Sequence, residues 1–131
     1  MSIPKVGTTV RGSKTGRPIM VVLDLLGRRG ALRVLWELRG EPLTFRALQE
    51  ACDTNPSLLN TRLTELRASG LVDHAPSGYH LTSNGRSLYA AMQPLSAWAS
   101  SWAGAEKGRA GNPEQPRRGR ASKSSKSRPA K

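Results

Sequence analysis

The sequence predicts a mainly α-helical domain with one small β-hairpin, which is an α+β fold flanked by two basic arms. Three observations predict it. Apolar residues recur at helical spacing through most of the stretch from 18 to 103. The segment "LVDHAPSGYHLT" places two short strand-like runs around a Pro-Ser-Gly turn. The positive charge lies mostly outside this stretch, in segments with few large apolar residues.

Composition limits the chain to one domain of ordinary size with tails. Of the 131 residues only 37% are hydrophobic, which is low for a chain that folds along its whole length. No apolar run approaches the ~18 residues that a membrane span needs, and the amino terminus has no signal-peptide pattern. Cys52 is the single cysteine, so no internal disulfide can form and a reducing compartment is expected. These features predict a cytoplasmic protein.

The distribution of the net charge of +12 along the sequence predicts how the chain divides into a folded domain and two arms. Residues 1–17 carry four basic residues and no acidic residue, and residues 104–131 carry nine basic residues against two acidic ones. We therefore predict a flexible basic arm over 1–17, a nearly neutral folded domain over 18–103 and a disordered basic tail over 104–131. Such tails either attract nucleic acid or only keep the protein in solution, and the sequence leaves both alternatives open.

Three helices are predicted before residue 53. The first begins at Pro18 and ends at Gly27, the second ends at Gly40, and the third has Thr44 as its N-cap. Cys52 is expected to be a small core residue, because no base or metal ligand lies near it in the sequence. The residues predicted to face the interior are apolar and helically spaced: Leu32, Leu35, Trp36, Leu38, Phe45, Leu48 and Cys52.

The segment "NPSLLNTRLTELRASG" predicts a fourth helix with two different faces. Asn55 is a favoured N-cap, Pro56 a favoured first residue, and Gly70 ends the helix. At about 100° per residue the leucines at 59, 63 and 66 share one narrow arc. The opposite side is short, polar and uncharged, which suits a surface that approaches another molecule closely; its residues are Ser57, Asn60, Thr61 and Thr64.

After the hairpin around Pro76, a last helix is predicted to carry an apolar seam. Pro94 is expected to kink it near Ala90 or Ala91. A seam of this kind on a small domain favours pairing with a second subunit. The seam residues recur at spacings of four and three with one tryptophan beside them: Leu88, Met92, Leu95, Trp98, Ala99 and Trp102.

Four helices, a hairpin and a final helix follow the order of a winged helix-turn-helix, in which the second helix of the motif enters the DNA major groove. The residues also resemble a known family. The segment "ALRVLWELRGEPLTFRALQEACDTNPSLLNTRLTELRASGLV", then "YHLTSNGRSL" and "LSAW", is similar to the HxlR-type transcriptional regulators of bacteria, relatives of the MarR group. The resemblance covers roughly residues 18–103.

The resemblance implies a homodimer that binds double-stranded DNA and regulates transcription. In that family the fourth helix reads bases, the wing touches the flanking backbone, and the terminal helices pair the subunits. Two positions depart from the family pattern. Gly30 stands where many members have tryptophan, and the wing has no arginine but only polar tips such as His74, Ser77 and His80.

Placing the fourth helix in the groove predicts which side chains meet DNA. Asn60 can pair with adenine through both amide atoms, and the small hydroxyl residues can contact base edges or thymine methyl groups. Arginines on and near the helix are candidates for phosphate contacts, with solvated surface roles as the alternative. The predicted DNA-binding residues are Asn55, Ser57, Asn60, Thr61, Arg62, Thr64, Arg46, Arg67, His74 and Ser77.

The sequence alone leaves more than one function open. No nucleophile motif, phosphate loop or metal-ligand spacing is present, so we predict neither an enzyme nor a bound cofactor or metal. The alternatives are a winged-helix module that binds another protein and a sequence-indifferent nucleic-acid binder driven by the tails. The sequence does not specify an operator, the sign of regulation or a small-molecule effector.

Overall fold

A computed structural model describes residues 3–110, which form six helices and one antiparallel hairpin. The elements are α1 (Pro18–Leu26), α2 (Ala31–Glu37), α3 (Phe45–Cys52), α4 (Pro56–Ala68), β1 (Val72–Ala75), β2 (Gly78–Leu81), α5 (Ser83–Ala91) and α6 (Gln93–Ala110). The chain divides into two compact units, the first ending at Ala90 and the second beginning at Ala91. None of the helices between residues 3 and 110 has the length and apolar character to cross a membrane.

The helix boundaries follow the predicted local signals. The Thr44 side chain accepts a hydrogen bond from the amide of Ala47 at 3.1 Å and caps α3. Asn55 Oδ1 accepts one from the amide of Leu58 at 2.7 Å and caps α4, with Pro56 as the first helical residue. The predicted start of α1 at Pro18 is confirmed.

The core of the first unit lies between the helices and the hairpin. It includes three leucines of α4 that are almost fully buried, as predicted: Leu59, Leu63 and Leu66. Burial of such side chains stabilises a fold by roughly 1.5–3 kcal/mol each. The buried residues of the cluster come from every element of the unit between α1 and β2: Leu25, Val34, Leu35, Leu38, Leu48, Leu59, Leu63, Leu66, Val72 and Leu81.

The buried face of α2 differs from the predicted one. Ala31 and Val34 are buried beside Leu35, whereas Leu32 and Trp36 lie on a neighbouring face and are 45% and 46% exposed. The prediction of Trp36 as a core residue is therefore wrong. Its ring instead packs at the surface, since the Arg39 guanidinium lies 3.9 Å from the ring centroid and the ring of Tyr89 6.1 Å away.

The hairpin is held to the helical part through a backbone contact outside its two strands. β1 and β2 pair in register from Val72 opposite Leu81 to Ala75 opposite Gly78. Leu43 and Tyr79 exchange two backbone hydrogen bonds, of 3.0 and 2.7 Å, so that the segment before α3 extends the sheet. Gly78 has φ +127°, and a Cβ there would lie 2.6 Å from the Leu43 carbonyl, so this close approach requires glycine.

The predicted arms differ from the structure where it describes them. Residues 3–17 are irregular but attached, because Val10 is buried and the amide of Arg11 donates to Asp24 Oδ2 at 3.2 Å. α6 continues through Ala110, beyond the predicted start of disorder at 104. The prediction for 111–131 lies outside the described residues.

The last predicted helix is two helices. α5 ends at Ala91, α6 begins at Gln93, and Met92 lies in a turn between them. Pro94 explains the break, because its ring nitrogen cannot donate to the carbonyl four residues earlier, at Ala90. With α3, the turn over 53–55 and α4 followed by the hairpin, the first unit is a winged helix-turn-helix.

Candidate nucleic-acid interface

α4 presents one uncharged polar face to solvent. Its other side is fixed in the core by leucines, so the roll of the helix about its axis is set. No acidic side chain lies in its first turn, where the helix dipole favours an anion. We call the four exposed residues of this face the polar ridge: Ser57, Asn60, Thr61 and Thr64.

The ridge side chains differ in the hydrogen-bonding groups that they offer. Thr61 Oγ1 donates to the carbonyl of Ser57 at 3.0 Å, and Thr64 Oγ1 donates to the carbonyl of Asn60 at 2.9 Å. Both hydroxyl protons are thus used within the helix, which leaves the oxygen lone pairs and the methyl groups. The Asn60 amide makes no hydrogen bond within residues 3–110, so its donor and acceptor are both available.

The three arginines predicted to contact phosphate lie in different environments. The Arg46 side chain is 90% exposed, and its Nε lies 3.9 Å from Glu50 Oε2. Arg67 is exposed in the last turn of α4. Arg62 points inward, where its Nε donates to the carbonyl of Arg29 at 2.6 Å.

The hairpin offers few cationic groups to a phosphate backbone. The imidazole of His74 stacks on the ring of Tyr79 at 4.0 Å between centroids, with the planes 2° apart. Ser77 is exposed in the turn. An open groove between α4 and β1 is lined by both Arg67 and Asp73, so an acidic group lies at the base of the wing.

A buried ionic cluster connects α4 to the α1–α2 segment, and sequence reasoning missed it. Arg28 Nη1 lies 2.7 Å from Glu65 Oε2 and its Nε lies 3.9 Å from Asp24 Oδ1. Arg62 Nη1 completes the cluster at 2.9 Å from Glu65 Oε1. The side chain of Glu65 is 8% exposed. The sequence contains the i, i+3 and i, i+4 charge pairs, but this spacing equally describes solvated pairs, so only the fold reveals their burial.

The single thiol lies outside the polar ridge. Burial raises the pKa of Cys52, the Glu37 carboxylate raises it further, and Arg33 lowers it by a smaller amount. The thiolate is the reactive form of cysteine, so this environment disfavours reaction at neutral pH.

The predicted dimer seam has two kinds of residue. In α5, Leu88 packs against the core of its own unit. In α6, Leu95, Trp98 and Trp102 are all more than half exposed, and the two indoles stack at 5.8 Å with planes 8° apart. The remaining two seam residues are Met92, which is half-buried, and Ala99, which is exposed.

Comparisons with known proteins place these features in a family. The model of the HxlR-like helix-turn-helix family matches residues 25–107. The uncharacterized HTH-type transcriptional regulator MJ0925 of Methanocaldococcus jannaschii is 24% identical over 88 residues, which cover 63% of this chain and 83% of that protein. The crystal structure of the quinone-bound YodB from B. subtilis superposes with a TM-score of 0.60 at 28% identity and covers 63% of this chain and 96% of that one.

Sequence, fold and relatives thus agree. The family match includes α2 to α5 and most of α6, and the fold matches that of the solved relative over 63% of the chain. The chain belongs to the HxlR-like helix-turn-helix family of DNA-binding transcriptional regulators.

Proposed function

We propose that this protein binds double-stranded DNA sequence-specifically as a homodimer, with α4 of each subunit in the major groove. One observation carries the proposal. A helix fixed by buried leucines exposes four short, uncharged, hydrogen-bonding side chains on its opposite face. An ordinary solvated face is rich in charges, whereas the major groove admits an α-helix and presents donors, acceptors and methyl groups at close range.

The available groups indicate which contacts each residue makes. Asn60 pairs with an adenine, because its amide offers one donor and one acceptor side by side. Arg46 and Arg67 contact phosphates on either side of the groove, and Ser57 lies in the first turn, where the helix dipole attracts a phosphate. Arg62 acts as a positioning residue rather than a direct phosphate contact, since its guanidinium is hydrogen-bonded within the protein.

Dimerisation through α6 supplies the second reading helix. Three large apolar side chains that are more than half exposed on one helix favour a partner surface of the same kind. A two-fold dimer presents two copies of α4 to half-sites one DNA turn or a multiple apart, which predicts a palindromic operator. The wing contributes little electrostatic attraction, and the basic residues beyond Ala110 supply it in this proposal.

Changing Asn60 to alanine tests the base contact. Sites are first selected from a random DNA pool with the full-length protein. We expect the Asn60→Ala variant to lose ~1–3 kcal/mol on the selected site and little on a scrambled one, since a bidentate base contact discriminates by that amount. The matched control is Asn84→Ala, which removes an exposed asparagine of α5 and should leave both affinities unchanged.

The same titrations distinguish the rival functions. Equal losses on selected and scrambled DNA would contradict base reading by Asn60. Selection that enriches no motif would favour a sequence-indifferent binder, and full DNA affinity in an Asn60→Ala, Thr61→Ala double variant would favour a protein-binding role for α4. The observation that favours testing a protein-binding function is the wing, which carries few charges and has an acidic group at its base.

A further inference from the structure

A cavity of about 140 Å³ lies beside the polar ridge, between α2, the turn over 53–55 and the first turns of α4. Its apolar wall consists of Val34 from α2 with Leu58 and Leu59 from α4. The volume is close to that of an engineered apolar cavity of about 150 Å³ that holds one benzene molecule. The cavity is therefore large enough for a six-membered ring or a branched chain of similar size.

Gly30 forms the side of the cavity that faces α4. It is the N-cap of α2 and has φ +87°, a backbone conformation that favours glycine. A Cβ at this position would lie 3.8 Å from Leu58 Cδ2 and 3.9 Å from Arg62 Cγ, both ordinary van der Waals distances. A side chain at position 30 would therefore extend toward α4. Because glycine has no side chain, backbone alone forms this wall of the cavity.

The polar part of the cavity offers a ligand one cation that is not already paired, that of Arg29, since Arg62 is paired with Glu65 and Arg33 with Glu37. Three arginines line it against one carboxylate, that of Asp53. The Arg33 guanidinium donates to Glu37 at 2.7 Å and to the carbonyl of Ala51 at 2.8 Å, so that it is held in place. Arg29 differs, because its exposed guanidinium makes no hydrogen bond or ion pair within the part of the chain that the structure describes.

We propose that this cavity binds a small carboxylic acid whose apolar body is about the size of a benzene ring. The ring or branched chain contacts Val34, Leu58 and Leu59, and the carboxylate accepts hydrogen bonds from Arg29. A guanidinium presents two parallel donors that match the two carboxylate oxygens, which makes it the better partner for this anion than an ammonium group. The charge of Arg29, which no described carboxylate neutralises, disfavours amines of the same size.

Occupancy of the cavity is coupled to DNA binding, a part of the inference that rests on the proposed function. Leu58 and Arg62 line the cavity and belong to the helix that carries the polar ridge. If the acid binds DNA-bound and DNA-free protein unequally, thermodynamic linkage requires that it change the operator affinity by the same factor.

Binding is tested first on the full-length protein without DNA. Calorimetric titrations use benzoate, cyclohexanecarboxylate and isovalerate, and 2D NMR with the same acids reports whether the amides of Gly30 and Leu58 shift. We expect saturable binding of at least one acid in the millimolar range or tighter. Failure of all three to saturate in that range, or NMR shifts confined to other residues, would overturn the inference.

Two variants and one control locate the site. Arg29→Gln should weaken binding about tenfold, because it removes the charge-assisted pair with the carboxylate. Cys52→Met should reduce it as well, since a longer side chain on the cavity wall occupies part of the volume. Arg86→Gln removes an exposed arginine of α5 and should change nothing, so equal losses for Arg29→Gln and Arg86→Gln would refute the site.

The two proposals fail separately. A protein that binds its selected DNA site but none of the three acids disproves the cavity inference alone. A protein that binds an acid in an Arg29-dependent manner but enriches no DNA motif disproves the proposed function alone. Binding of the acid with no change in operator affinity removes only the coupling.

Discussion

At the scale of single residues, the polar ridge combines two kinds of group. The hydroxyl protons of Thr61 and Thr64 are committed to carbonyls one turn earlier in α4. What these threonines present outward is therefore a methyl group and oxygen lone pairs, whereas Asn60 presents a free amide. A groove-reading helix of this composition would recognise thymine methyl groups and adenine edges.

Replacements of Thr61 separate the methyl group from the hydroxyl. Thr61→Val keeps a methyl group and loses a hydroxyl whose proton is committed to the Ser57 carbonyl, so we expect operator affinity to remain within about threefold of the parent. Thr61→Ser keeps the hydroxyl but removes a methyl contact worth ~0.8 kcal/mol, and should weaken binding about fourfold. Fluorescence anisotropy on the selected site measures both, and a larger loss for valine than for serine would show that the hydroxyl makes the contact.

At the scale of elements, α4 is held in two ways. Its leucines fix the side that faces the core, and the ionic cluster of Asp24, Arg28, Arg62 and Glu65 fixes its flank against the segment between α1 and α2. The first contact is non-directional, whereas the second requires defined distances. Together they set the direction in which the polar ridge points, so the cluster affects recognition without reaching DNA.

Substitution of Glu65 tests the contribution of the cluster. Glu65→Gln should lower the free energy of unfolding by about 3 kcal/mol, because it leaves Arg28 and Arg62 beside a neutral amide in a buried place. The expected loss lies at the low end for broken buried pairs, since Asp24 still faces Arg28. Urea denaturation followed by circular dichroism measures it.

The control for this substitution is Glu50→Gln on α3. The side chain of Glu50 is 73% exposed and lies 3.9 Å from an exposed arginine. Glu50→Gln should therefore change the free energy of unfolding by no more than about 0.5 kcal/mol. Similar free energies of unfolding for the two variants would show that the Glu65 cluster contributes no more than a surface pair.

At the scale of the whole molecule, α6 carries the proposed contact between subunits. Within this helix Trp98, Trp102 and Leu95 share one side with Ala99, whereas Ala97 lies on the opposite side at about 100° per residue. Both alanines are exposed, which provides a matched pair of positions two residues apart.

An Ala-to-Glu change at each of these positions tests the seam. Ala99→Glu places a charge in the apolar stripe and should weaken self-association at least about tenfold, because a buried unpaired charge is costly. Ala97→Glu should leave self-association unchanged. Sedimentation equilibrium measures both. A monomeric parent protein at micromolar concentration, or equal effects of the two changes, would contradict dimerisation through this face.

The basic segment beyond Ala110 provides the other prediction at this scale. Truncation after Ala110 leaves α6 whole and removes seven basic residues. We expect affinity for all DNA sequences to fall alike, and the slope of log K against log salt to flatten by about 0.9 for each phosphate that the shortened chain no longer neutralises. A variant with these seven residues changed to glutamine controls for chain length, and an unchanged slope in both would assign the tail a solubilising role only.

The sequence by itself determined the order of the elements, the caps at Thr44 and Asn55, the buried arc of α4 and the composition of its polar ridge. These features depend on neighbours within about four residues, because caps and helical faces are set by local hydrogen bonds and a fixed rotation per residue. For the same reason Pro94 predicts a kink near Ala90 or Ala91, since proline acts on its own helix, although the structure has a break between two helices instead.

Only the tertiary structure decided which neighbour covers each face. It left Trp36 at the surface, paired Leu43 with Tyr79, brought Arg28 to Glu65 and opened a cavity beside Gly30. Each of these features depends on residues far apart in the chain. The periodicity of a sequence predicts whether a side chain faces an apolar or a polar environment, but it does not predict which segment provides that environment. Burial converts a common surface charge spacing into a fixed ionic contact, because water no longer competes for the charges.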